Sequence, residues 1–390
     1  MAEKAKKIKL YGSFVLVGTA MVREDNFYSN KTSPKGYNYS TVNFGVKTAD
    51  GNVLYLSNMG GFSTVSANVL KPFAKDKDSG QLEIQWADRN DEGIKALVSD
   101  MAKLSVNFED TEDKSCKTFL SEYDFVEAIK VGLKKDMKVF VYGDIKIERY
   151  TDKQGNVKTK TKYTAKKIRL AKEEEANRAD ATMEFVFDKD CWDESRLKDG
   201  KADISAYFMT YDRTLKENVF VPLQMVVDIE TMAENTARNL GKDISEITET
   251  MKETLYTFVK NKFMAEAGEY MQTQWKCKIV SGTVQEEITM EMLNDDQRMQ
   301  IELGFATLDQ IKAQMRGRFG GEKINEIRLL LPTNKYVDEK TEARLATILT
   351  DFVEEDFYAK TPVVEDKNEV FGASTSSQSD ADMLKGLFGG

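Results

Sequence analysis

Over most of the first 170 residues, apolar and polar positions alternate in short runs, the period of strands with one buried face. Residues 8–22 (IKLYGSFVLVGTAMV) form one such run. Residues 41–47 alternate Val42, Phe44 and Val46, and residues 53–57 return after the turn signal Asp50-Gly51-Asn52. The longest run spans residues 137–172 (MKVFVYGDIKIERYTDKQGNVKTKTKYTAKKIRLAK). Val139, Val141, Ile145 and Ile147 share one face there, and Gly143 interrupts the run as a bulge or bend would. A polar, glycine-containing cluster at residues 151–156 marks a hairpin turn, after which Ile168 and Leu170 resume the alternation. Two stretches, residues 93–104 and 122–132, have helical spacing instead, as in Phe125, Ile129 and Leu133. Residues 27–39 read as a polar, aromatic-rich loop.

The second half repeats this kind of order. Residues 182–187 begin strand character, and residues 204–211 and 219–229 make a hairpin. Leu240, Ile244, Ile247, Met251, Leu255 and Phe258 predict one continuous helix face, opened by Asp243 as a cap. Strand patches return at residues 277–284 and 327–331, with a helix expected at 308–315 and a closing helix at 339–358. The charged stretch 172–181 (KEEEANRADA) is the expected linker, and residues 374–379 (STSSQS) open a disordered end.

In residues 8–172 the order is strand, hairpin, helical insert, strand, hairpin, strand. It matches a five-stranded Greek-key barrel with a helix between its third and fourth strands, the OB-fold pattern. The predicted class is therefore β-rich α+β: an N-terminal OB-fold over residues 1–172, a linker at 173–181, a second OB-like α+β domain at 182–360, and a disordered acidic tail at 361–390.

Charge sharpens this reading. Residues 131–172 carry 13 Lys and Arg against 4 Asp and Glu, a local net of +9 in a chain whose net is −9. Lys158, Lys160 and Lys162, spaced by two, fall on one strand face, and Tyr150 and Tyr163 bracket the hairpin. A basic, tyrosine-bearing finger on an acidic chain is the footprint expected for a polyanion. The bland account is a lysine-rich hairpin kept soluble and closed to edge pairing.

Histidine is absent. That removes Ser-His and Cys-His catalysis and histidine-containing metal sites. No phosphate-binding glycine loop occurs, and Cys116, Cys191 and Cys277 stand far apart with no CxxC, as thiols in a reducing cytoplasm would. No apolar run approaches the ~20 residues of a membrane helix, and the first residues show no secretory signal pattern. The expectation is a cytoplasmic binding protein with no catalytic residues, metal or cofactor.

Residues 139–170 resemble bacterial single-stranded-DNA-binding proteins. Val139, Val141, Gly143, Ile145, Tyr150, Asp152, Lys153, Gly155 and Ile168 stand where that family has V-x-V-x-G-x-[IL], a Y-x-D-K-x-G hairpin and a returning strand. The helical insert is longer than in the compact family, and a second half follows. The resemblance implies sequence-independent binding of single-stranded DNA in replication, recombination or repair, by a phage-encoded protein acting in the host cytoplasm. RNA is an alternative ligand.

On this reading Arg149, Lys153, Lys158, Lys160 and Lys162 serve phosphates, and Tyr150, Tyr163, Tyr37, Tyr39, Phe27 and Tyr28 are stacking candidates, with Lys35 in the first loop. Phe44 and Tyr55 are weaker stacking candidates, since strand aromatics are usually core. The tip Asp380, Asp382, Met383, Leu384, Leu387 and Phe388 is similar to the partner-recruiting tails of replication proteins, although this chain ends Phe388-Gly389-Gly390 where the bacterial tails end Pro-Phe. Residues 316–321 (RGRFGG) are either a flexible nucleic-acid contact or a plain turn. Competing functions are a scaffold or host-inhibitor protein and a Mg-dependent nuclease built on pairs such as Asp295-Asp296, Asp190/Asp193 or Glu354-Glu355.

Overall fold

The first long strand, β1 (Gly12–Met21), alternates as its sequence predicts, with Phe14 and Leu16 pointing into a core. The structure is a computed structural model and describes residues 8–109, 116–152, 157–212, 215–283, 293–308, 310–311 and 323–357. After β1 come β2 (Tyr28–Thr32), β3 (Tyr37–Ala49) and β4 (Asn52–Ser63). An insert follows with β5 (Val69–Leu70), β6 (Ile84–Gln85), helix α1 (Glu92–Leu97), β7 (Leu104–Asn107) and β8 (Lys117–Phe119). Helix α2 (Glu122–Gly132) then leads to β9 (Lys138–Thr151) and β10 (Val157–Leu170).

Helix α2 begins where the sequence says it should. Ser121 accepts a hydrogen bond from the Asp124 amide, Glu122 and Asp124 sit in the positive first turn, and Lys130 sits in the last. Its face Phe125, Val126 and Ile129 is fully buried.

Five of these strands close a ring. β1 pairs antiparallel with β9 and, at its end, with β3. β3 pairs antiparallel with β4, and β9 with β10. The ring shuts where β10 meets β4 in parallel, Tyr163 opposite Leu56. Asn58 of β4 secures that seam: its side chain donates to the Ala165 carbonyl and accepts from the Ala165 amide. Ala165 borders a bulge in β10, where Lys166 is the extra residue opposite Gly143 and Tyr142. The irregularity expected at Gly143 is thus taken up by the partner strand.

A second ring follows the same plan. Its strands are β11 (Arg178–Phe187), β13 (Lys201–Asp212), β14 (Glu217–Asp228), β15 (Met271–Thr283) and β16 (Lys323–Pro332). The short β12 (Trp192–Asp193) flanks β13, and β17 (Ala346–Ile348) flanks β15. β11 pairs antiparallel with β13 and β15, β13 with β14, and β15 with β16, while β14 meets β16 in parallel at Val226 and Arg328. Helices α3 (Ile229–Leu240) and α4 (Glu249–Lys260) lie between the third and fourth strands of this ring, as α2 does in the first.

The two rings share one β-rich sheet system. β1 and β11, the first strand of each ring, pair antiparallel from Gly12–Met183 to Val17–Arg178, the pairing that a two-fold relation generates. The hairpin tips dock reciprocally. Asn52 of the first ring donates to the Ile279 carbonyl and accepts from the Ser281 amide of the second. Asp212 of the second ring pairs with Arg149 of the first. One contiguous buried cluster spans both rings, including Phe14, Leu56 and Phe125 on one side and Phe185, Phe187 and Trp275 on the other.

Several expectations change. The linker is shorter than the sequence suggests, because Arg178–Ala181 is already strand, hydrogen-bonded to β1, with Ala179 and Ala181 buried. The loop at 27–39 contains β2, held to β3 by polar cross-strand pairs such as Ser29–Thr41 and Asn30–Ser40. The continuous helix over 240–258 is broken. Gly241 ends α3 in the left-handed region, Asp243 caps a short turn, and Thr248 opens α4. The closing helix at 339–358 resolves into β17 and the short helix Glu354–Phe357, since Leu345 turns left-handed and Ala346–Ile348 pair with β15. Most of the expected helix at 308–315, the RGRFGG stretch, Lys153 and the whole tail lie outside the described residues.

Candidate nucleic-acid interface

Strand parity builds the site. On β3, Val42, Phe44 and Val46 point inward, so Tyr37, Tyr39, Thr41 and Asn43 point out. On β4, Leu54, Leu56 and Asn58 point inward, so Tyr55, Ser57 and Met59 point out. The register sets Tyr39 opposite Gly61, Thr41 opposite Met59 and Tyr55 opposite Gly45. Tyr37 and Tyr39 stack with centroids 6.3 Å apart and planes at 23°. A Cβ at Gly61 would fall 2.7 Å from the Tyr39 Cβ and 2.8 Å from the Tyr37 ring, so both rings lie over the sheet only because Gly61 has no side chain. Tyr55 is 50% exposed and Tyr37 41%. Partial burial, then Glu122, pushes the Tyr37 phenol up.

The basic hairpin borders this face. Lys158, Lys160 and Lys162 do share one side of β10, opposite Tyr150, Glu148 and Lys146 of β9. Lys158 pairs with Asp152 at 2.9 Å, and Glu148 takes Lys162 at 3.4 Å and Lys160 at 3.9 Å. The hydrogen bond it donates to Asp152 holds the Lys158 ammonium above the usual lysine range. Because Tyr163 and Leu56 both face inward at the seam, their neighbours Lys162 and Tyr55 come out side by side on the outer surface. From that junction the lysines run towards the Asn52 end of β4 and the tyrosines Tyr39 and Tyr37 lie towards its Ser63 end, so ammonium groups and rings follow one another along one outer surface. Such an arrangement offers phosphates a cationic track and bases a set of flat partners.

Two expected contacts are placed elsewhere. Tyr163 is 7% exposed and packs edge-on against Phe14 at 5.6 Å, with its hydroxyl unpartnered. Desolvation pushes that phenol far up, and the ring is core rather than a stacking surface. Arg149 lies on the inward parity of β9, beyond Ile147, and its guanidinium is spent on Asp212 at 3.1 Å, with only 5% of the side chain exposed. Phe27 is half-buried against the core. Tyr28 is also half-buried: its hydroxyl donates to Glu127 at 2.6 Å and the Lys130 ammonium lies 4.0 Å over its ring. Tyr150 and Lys35 are exposed, the latter beside Gly36 in the β2–β3 turn. Phe44 is core and Tyr55 is surface, a distinction their alternation with Val42, Val46, Leu54 and Leu56 already contains.

Residues not singled out from sequence complete the surroundings. Met59 and Met21 are exposed on the same outer face. Phe62, Trp86 and Tyr123 form a half-buried aromatic cluster with centroids 5.1–6.4 Å apart. Arg89 lies 4.2 Å over Trp86 and pairs with Asp124 at 2.7 Å, fastening the insert to α2.

The acidic pairs weighed for a nuclease are local structure. Asp295 and Asp296 occupy the first turn of α5 (Asp295–Glu302), behind the Asn294 capping box. Asp193 accepts from Ser195, and Glu354 and Glu355 are exposed on the short terminal helix. Among the described residues no group of three or more His, Cys, Asp or Glu could hold a metal ion, and no helix is long and apolar enough to cross a membrane.

No curated protein matches this chain in sequence. Among solved structures it is similar to a deletion mutant of the single-stranded DNA binding protein from Thermus aquaticus, at 10% identity over 70% of this chain and 88% of that one. The TM-score of that likeness is 0.27, too low to bear on fold or function. The YorF family model matches residues 19–275, well over half the chain, and the protein is accordingly a member of the YorF family.

Proposed function

We propose that this protein binds single-stranded DNA without sequence selectivity, and that both rings are OB-folds. Support for the fold is the closure order, with the third and fifth strands of each ring parallel and helix between the third and fourth. One observation carries the function: outward Tyr55 lies beside Lys162 at the seam, so the tyrosine face of β3 and β4, with Tyr39 and Tyr37 further along it, is continuous with the lysine row of β10. Bases stack on the rings, at about 1–3 kcal/mol each. Phosphates take the lysines in place of Asp152 and Glu148. The protein acts as a binder with no catalytic role, in replication or recombination. The sequence of the 380–388 tip suggests that it recruits proteins of those processes.

Fluorescence anisotropy with labelled oligo-dT and the matching duplex, over a series of salt concentrations, tests this. Tight single-strand binding is expected, with log K falling by about 0.7 per log unit of salt for each phosphate neutralised. Lys158→Gln, Lys160→Gln and Lys162→Gln together should flatten that slope by roughly two. Equal affinity for duplex and single strand, or a slope indifferent to the three lysines, would reject the reading.

A further inference from the structure

The face of the second ring that corresponds to the tyrosine face of the first is covered by the chain itself. By strand order, β13 and β14 correspond to β3 and β4. Ile204, Ala206 and Phe208 point inward on β13, and Val219, Val221 and Leu223 on β14. Tyr207 and Phe220 therefore point outward. Phe220 is nonetheless buried, because residues 352–357 lie over it. Phe357 stacks on Phe220, centroids 4.2 Å apart and planes at 27°, and on Tyr270 at 3.9 Å and 10°. Two rings stacked this closely on a third occupy its opposite faces. Tyr270 and Phe220 thus form a slot one aromatic ring wide, edged by Tyr207 at 5.0 Å and by Phe352.

We propose that this slot is a second nucleobase-binding site, closed by Phe357 and opened when a long single strand displaces residues 349–357. The inference rests on the single-strand reading above. A slot lined by two parallel rings holds any flat ring by stacking, and a base presents the same faces as a phenyl group. The covering segment is DFVEEDF, with Phe352 and Phe357 turned in and Asp351, Glu354 and Glu355 exposed. Its carboxylates would repel phosphates, so strap and strand cannot share the face and binding must be exclusive. Along the strap Leu349 donates to the Tyr270 carbonyl, the Asp356 amide donates to the Val353 carbonyl, and the Val353 amide donates to the Asp356 carboxylate.

Hydrogen exchange on the full chain, free and saturated with a short and a long oligo-dT, tests the displacement. The short strand should protect the first-ring face of β3, β4 and β10 and leave 349–357 unchanged, and the long strand should in addition speed exchange across 349–357. In parallel, Phe352→Ala/Phe357→Ala should bind the long strand about tenfold tighter and the short one unchanged. Unaltered exchange at 349–357 under a bound long strand would overturn the second site while leaving the first intact. So would a cooperatively melting double variant with unchanged long-strand affinity. Failure of full chain and variant alike to bind either oligonucleotide would overturn both this site and the single-strand reading.

Discussion

Arg149 of the first ring and Asp212 of the second form an ion pair at 3.1 Å, with 5% and 10% of their side chains exposed. It locks the hairpin tip of one ring against the fourth strand of the other, opposite the reciprocal contact made by Asn52. Removing one member leaves a desolvated charge facing a void. Arg149→Ala or Asp212→Ala should each cost about 3–5 kcal/mol in urea denaturation, and the double variant less than the sum. Single-strand affinity of the folded fraction should stay unchanged, separating Arg149 from the phosphate-binding lysines.

Tyr163 and Tyr55 should respond in opposite senses. Tyr163→Phe removes a buried hydroxyl with no partner, so it should raise stability by ~1 kcal/mol and leave binding alone. Tyr55→Ala should leave the urea midpoint nearly fixed and weaken oligo-dT binding by about 1–3 kcal/mol, with Tyr55→Phe restoring it. A drop in affinity for Tyr163→Phe would put that ring back on the binding surface.

Asn58 supplies both a donor and an acceptor to the Ala165 backbone at the seam of the first ring. Asn58→Ala should orphan two buried backbone groups and cost roughly 2–3 kcal/mol, read from chemical denaturation. Gly143→Ala strains the same place from the other side, because its Cβ would stand 2.1 Å from the Thr164 carbonyl oxygen. Both variants should speed amide exchange in β10 before they affect the second ring.

The segment between the rings carries a pH dependence. Arg169 grips Glu175 through two hydrogen bonds, at 2.7 and 2.8 Å, and the Lys172 amide adds a third. These bonds, the Arg169 ones above all, hold the Glu175 carboxyl down to about 2. A depressed carboxylate stabilises the fold above its unfolded value of ~4.3 and loses that contribution as pH falls towards 2. Glu175→Gln should lower the urea midpoint at pH 7 by an amount equivalent to under ~1 kcal/mol. The gap to wild type should close as pH drops below ~4.3. A gap that is constant from pH 7 to 3 would show that the carboxylate charge plays no part.

Local periodicity determined much of this protein by itself. The strands of the first ring, helix α2 with its Ser121 cap, and the common face of Lys158, Lys160 and Lys162 follow from spacings of two and 3.6 residues. The same rule of two assigned more than was first drawn from it: with the lysines outside, Tyr163 and Ala165 must be inside, and Arg149 must follow Val139, Val141, Ile145 and Ile147 inward. Tertiary structure alone decided the rest. Periodicity says which residues share a face and nothing about what covers it. Phe220 reads as a surface residue until residues 352–357 arrive from far along the chain. Arg178–Ala181 reads as linker until β1 supplies its hydrogen-bond partners. The closure of each ring rests on a parallel contact between strands more than 90 residues apart, a pairing that leaves no local mark on either strand.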